Sequence, residues 1–140
     1  MELKFAFGVN SENQFEDCFF GDAYKFLIYK DISGKLTQID EIVNKFNSID
    51  YNLQNNKKAS NLIEYFLSND IKVIVSKQFG GNIKIINEYF VPVIISSENP
   101  EEVVEIINAH IHWIKDELNN LNSGFKLFTI KSGILKSTIN

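Results

Sequence analysis

Large apolar side chains at Leu3, Phe5, Phe7 and Val9 alternate with Lys4, Ala6 and Gly8. A period of two residues makes this segment a strand, and bulky groups on one face with mostly small ones on the other suit a central strand with something packed closely against it. Residues 10–23 then form a polar and aromatic loop. Residues 24–31 and 35–42 read as a hairpin around Asp31-Ile32-Ser33-Gly34, with Gly34 supplying the permissive turn conformation.

Downstream the period changes. Residues 43–56 are rich in asparagine and read as a connecting loop, after which Ala59, Leu62, Ile63, Phe66 and Leu67 fall at helical spacing as far as Asn69-Asp70. Ile71 to Val75 is a short apolar strand. Gly80-Gly81 precedes a second helix carrying Ile83, Ile86 and Phe90, and Val91 to Ile95 is the next buried strand, with Pro92 expected at an edge. Asn99-Pro100-Glu101-Glu102 is a helix start: Asn99 caps, Pro100 fits the first position and Glu102 completes a capping-box spacing. The third helix carries Val103, Ile107, Ile111, Ile114, Leu118 and Leu121. Phe125 to Ile130 is a last strand or a docking tail.

The order β-β-β-α-β-α-β-α predicts an α/β fold with a five-stranded mixed sheet. Hairpin adjacency and right-handed crossovers give the strand order 3-2-1-4-5 with helices on both faces, a ribonuclease-H-like three-layer arrangement. Residues 1–122 are expected as a single domain and 123–140 as a C-terminal extension.

Composition narrows the partners. The 140 residues are 44% hydrophobic and 23% charged, with a net charge of -4, which fits a soluble globular protein rather than a nucleic-acid surface. All 14 basic residues are lysines and they are scattered. Cys18 is the sole cysteine, so neither an internal disulfide nor a paired-cysteine metal knuckle can form. With neither a signal peptide nor a membrane-length apolar run, a cytoplasmic location is expected.

In the 3-2-1-4-5 order the first and fourth strands are parallel neighbours where the winding direction reverses, and ligand crevices of open sheets form outside the carboxyl ends of such strands. Two similar junctions leave those ends: Cys18-Phe19-Phe20-Gly21-Asp22 and Ser76-Lys77-Gln78-Phe79-Gly80-Gly81-Asn82. In the second, free N–H groups at a helix start favour an anion, Lys77 adds charge, and Gly80 and Gly81 allow close backbone approach. Each feature has a plainer reading. The glycines also suit a tight strand-to-helix turn, Phe20 and Phe79 also suit loop anchors, and Cys18 is either a buried structural residue or, as a thiolate, a ligand to a soft metal. His110 and His112, two apart on a helix, point about 200° from each other and cannot chelate one ion together.

Catalysis is not expected. A two-metal nuclease needs converging carboxylates, yet Leu3–Val9 and Ile71–Val75 contain none and Glu64 has no partner. No nucleophile elbow, phosphate-binding loop or dinucleotide fingerprint is present.

Across residues 3–110, the opening strand Lys4–Val9, the phenylalanine-glycine turn, the strand Tyr24–Tyr29, the Gly80-Gly81-Asn82 stretch entering a helix and the strand Val93-Ile94-Ile95 occur in an order that resembles the dinitrogenase iron–molybdenum cofactor biosynthesis family. The resemblance implies a ribonuclease-H-like domain that binds or carries an iron–molybdenum cofactor, a precursor or another metal–sulfur cluster, without enzymatic activity. It implies that the loops around Phe20-Gly21 and Gly80-Gly81-Asn82 face this anionic ligand; Cys18, Lys77 and Phe79, read from the same loops, complete the candidate set, with Cys18 as its candidate metal ligand. The chain departs from the family in having Asn55-Asn56-Lys57-Lys58 where a glycine-rich stretch is usual. It also brings no further cysteine or histidine to these loops. The alternative is an interaction or regulatory module that keeps the fold without a cluster, with a homodimer through the apolar C-terminal segment.

Overall fold

A computed structural model describes residues 3–45, 55–79, 83–120 and 124–138. Its strands are β1 (Lys4–Val9), β2 (Lys25–Ile32), β3 (Lys35–Val43), β4 (Ile71–Ser76), β5 (Val91–Ile95), β6 (Leu127–Lys131) and β7 (Ile134–Thr138). The helices are α1 (Asn55–Ser68), α2 (Ile83–Ile86), α3 (Pro100–Ala109) and α4 (Ile111–Leu118).

All seven strands join one mixed sheet in the order β3-β2-β1-β4-β5-β6-β7. The expected five-strand count is therefore corrected to seven. Residues assigned to an extension supply β6, parallel to β5 through Val93↔Phe128, and β7, antiparallel to β6. The physical cause is a second tight turn. Ser132 (φ 53°) and Gly133 (φ 75°) repeat the conformation of Ser33 (φ 54°) and Gly34 (φ 86°), and positive φ at both central residues matches the twist of a hairpin.

β1 explains why the sheet has two cores. Leu3, Phe5, Phe7 and Val9 face a cluster with Val103, Ile107 and Ile114 of α3 and α4. Ala6 faces the opposite cluster, with Leu62 and Phe66 of α1 and Ile86 of α2. A register shift in the β1–β4 pairing beside Ile71 changes the phase of β4, so that Ile71 and Val73 pack on opposite faces.

The start of α3 has both halves of a capping box: Asn99 Oδ1 accepts from Glu102 N–H at 2.9 Å, and Glu102 Oε1 accepts from Asn99 N–H at 3.1 Å. Two expectations are corrected nearby. The long third helix is two helices, broken at His110 (φ -128°), where the His110 ring stacks on Trp113 with centroids 4.2 Å apart. Pro92 lies in an interior strand, because β5 has β4 on one side and β6 on the other. Its missing donor is tolerated because the β6 ladder begins only at Val93.

Glu98 ties the loop after β5 to the second hairpin. It is buried, Oε1 accepts from Ser96 N–H, Ser96 Oγ–H and Ser97 N–H, and Oε2 accepts from Gly133 N–H at 3.1 Å. Burial raises its pKa, but hydrogen bonds from Gly133, its own backbone and Ser96 outweigh that and hold it below the ordinary carboxylate value. A depressed folded-state pKa contributes stability above the unfolded value, and that stability is lost as pH falls through the folded one. Glu98→Gln is expected to cost about 1–3 kcal/mol at neutral pH. In urea melts at stepped pH, the gap between the two proteins should close on the acid side of the carboxylate titration. A gap that stays constant into acid would show that the charge contributes nothing.

Candidate functional site

The loops leaving β1 and β4 meet. Phe19 forms an isolated parallel bridge with Gln78, and Phe20 N–H donates to the Gln78 carbonyl at 2.8 Å. Backbone pairing thus continues past the strand ends and fixes both loops at the carboxyl edge of the β1–β4 pair.

Phe20 opens a single 3-10 turn, Phe20–Asp22, and points into the core. It is 1% exposed and its ring lies 4.9 Å from Phe26, 5.7 Å from Phe66 and 5.7 Å from Phe79, centroid to centroid. Gly8 makes room for it: a Cβ there would lie 3.1 Å from Phe20 Cδ1 and 3.2 Å from the Ala23 Cβ. The small-residue face of β1 is therefore the seat of this phenylalanine. Phe79, 5% exposed, packs in the same cluster. Both rings act as anchors of their loops, whereas Phe19, 49% exposed, remains at the surface.

Asn44 holds the turn from the other side. Its Nδ2 donates to the carbonyls of Gly21 (2.9 Å) and Ala23 (2.7 Å), and its N–H donates to the Tyr24 carbonyl. Sequence patterning gave Asn44 no distinct role among the neighbouring asparagines. Its position immediately after β3, opposite the start of β2, is what selects it.

Cys18 is partly buried at the head of this turn. Across the bridge, Lys77 Nζ lies 3.6 Å from Asp17 Oδ1. Asp17 is 83% exposed at its side chain, so the pair contributes at most about 1 kcal/mol and does not lock the lysine. Cys18, Gly21, Lys77 and the two buried phenylalanines are thus brought to one end of the sheet. Gly80, Gly81 and Asn82 lie outside the described residues.

The donor set is limited. Among the described residues, no group of three or more His, Cys, Asp or Glu is disposed to hold a metal ion. A cluster held by protein thiolates alone takes four, and this chain can supply one. A metal–sulfur cargo here would retain ligands of its own, with Cys18 as a single thiolate and Lys77 as a nearby positive charge. The two histidines do not act together, since His110 stacks on Trp113 and His112 meets the same ring edge-on at 5.8 Å.

No helix among the described residues is long and apolar enough to cross a membrane. Compared with known protein families and with characterised proteins, the chain matches no family model and no individual protein.

Proposed function

We propose that the chain is a non-enzymatic binding module of ribonuclease-H-like fold, akin to the dinitrogenase iron–molybdenum cofactor biosynthesis proteins, that takes an anionic metal–sulfur cargo at the carboxyl ends of β1 and β4. The observation that carries the reading is the Phe19–Gln78 bridge. It joins the two loops that the family resemblance assigns to the ligand, one carrying Cys18 and the other Lys77. A cysteine and a lysine on adjoining loops would suit an anionic cluster better than a cation.

Anaerobic reconstitution with iron, molybdenum and sulfide, followed by metal analysis, tests the proposal. The wild-type chain is expected to retain metal, and Cys18→Ser to lose most of it. Wild-type protein that retains none, or a variant that retains as much, would remove the cluster from the reading.

A second reading is favoured by the burial of Phe20 and Phe79 against each other. A module with no cargo needs these rings only as anchors, and its working surface is then a sheet edge. β7 is such an edge, with Ile134 exposed on it, and an exposed edge is a template for pairing with a second copy. The same reconstitution separates the two, because a chain that holds no metal but sediments as a dimer is the interaction module.

A further inference from the structure

α4 packs Ile114 into the core and presents a polar flank toward the β6–β7 hairpin. Trp113, Asp116 and Glu117, at helical spacings of three and four, line a cleft of about 670 Å³ whose apolar part is Phe128 and Leu135. Here two carboxylates and an indole border a gap within the size range of small-molecule sites, about 300–1,000 Å³.

Glu117 decides the chemistry. It is 6% exposed, and Oε2 accepts from Lys126 N–H at 2.9 Å. Among the described residues no ion pair reaches this carboxylate, and no buried polar side-chain atom lacks a partner. Its second oxygen therefore opens onto the cleft. Glu117 thus presents a negative charge to the cleft, where an opposite charge a few ångströms away is attracted. Lys126 also lines the cleft, but its ammonium pairs with neither carboxylate. Trp113, 41% exposed and braced by the His110 stack, is the aromatic type best suited to hold a cation over its face.

We propose that this cleft binds a small organic cation, with an ammonium group between the Glu117 carboxylate and the Trp113 indole and a hydrocarbon portion on Phe128 and Leu135. The site shares no residue with the rim of Cys18 and Lys77, and the proposal stands whichever function that rim serves. Two sources offer the same ammonium chemistry: a simple amine, or an amino acid whose carboxylate would meet Lys126.

Trp113 is the sole tryptophan, so its fluorescence, excited where tyrosine does not absorb, reports on this cleft directly. Titration with hexylamine, choline and norleucine, and with hexanol as the uncharged control, is expected to change that signal for at least one ammonium compound with Kd at or below about 1 mM, and not for hexanol. Preference for norleucine over hexylamine identifies the amino-acid source, and the reverse identifies the amine. Glu117→Gln keeps an oxygen for Lys126 N–H and is expected to weaken binding at least ~10-fold. Should that variant fold poorly, Trp113→Phe, followed by calorimetry, is expected to weaken binding in the same direction from a partly exposed position. No binding by any ammonium compound, hexanol binding as tightly as hexylamine, or unchanged affinity in a folded variant would each overturn the proposal.

Discussion

Ending the chain after Gly124 is expected to leave no cooperatively folding protein. The cut removes β6 and β7, and with them the buried side chains of Phe128, Ile130 and Leu135. At about 1.5–3 kcal/mol for each buried apolar side chain, the loss is roughly 5–9 kcal/mol, against a total stability of about 5–15 kcal/mol for an ordinary domain. The deletion also strips the ladder from Val93–Ile95, takes Gly133 N–H from Glu98 and takes Lys126 N–H from Glu117. Urea unfolding followed by far-ultraviolet circular dichroism checks this. A truncated chain with a sharp transition near the full-length midpoint would mean that the hairpin is peripheral. The same result bears on the dimer reading, since a deletion that unfolds the chain cannot report on an edge. A surface substitution on β7 is the sounder probe.

Phe20→Ala should be the most damaging single substitution at the candidate site, at about 3–5 kcal/mol. The ring touches Phe26, Phe66 and Phe79, and it sits over Gly8. Phe19→Ala, one residue away but half exposed, should stay within about 0.5 kcal/mol. The seat on β1 gives a sharper test. Gly8→Val alone forces side-chain atoms toward Phe20 and Ala23 and should cost about 1–3 kcal/mol. In the Phe20→Ala background the same valine enters vacated space and should cost less, or stabilise. A double-mutant cycle in urea measures this coupling. Additive effects would show that Gly8 is small for some reason other than the phenylalanine above it.

Much of the fold is legible in residue patterning because the signals are local. The alternation in β1, the Ser33-Gly34 turn and the Asn99–Glu102 box each act within a few residues, and each is found where the pattern puts it. The stop at Asn69-Asp70 is another: Asp70 has φ 60° and Asn69 Nδ2 donates to the Tyr65 carbonyl. The seventh strand was within reach, since Ser132-Gly133 repeats the first hairpin's turn, but its flanks are short and less apolar. The break at His110 has no proline or glycine to announce it and depends on how α4 packs against the sheet. At the candidate site, topology brings the two loops together, while burial comes from tertiary packing. No local pattern tells whether a loop phenylalanine faces a ligand or, as with Phe20, faces Phe66 on a helix far along the chain. Glu98 and Glu117 are illegible for a related reason, because Gly133 N–H in the second hairpin and Lys126 N–H in the segment leading into β6 reach them only through the fold.

The placement of the two hairpins has a consequence for how the polypeptide matures during synthesis. β1, β2 and β3 can pair as soon as they have emerged, but the other edge of β1 must wait for β4, with Phe5 meeting Val73, and β5 must wait for β6, with Val93 meeting Phe128. Parallel pairings across such separations form slowly, because the loop must close before any contact rewards it. Until β6 and β7 arrive, the nascent chain carries β5 with one flank open and strongly apolar, the kind of surface on which unfinished chains stick to one another. The C-terminal hairpin therefore acts as the closing cover of the sheet, and a ribosome stalled before Phe128 would hold a chain with aggregation-prone strands and no means of shielding them.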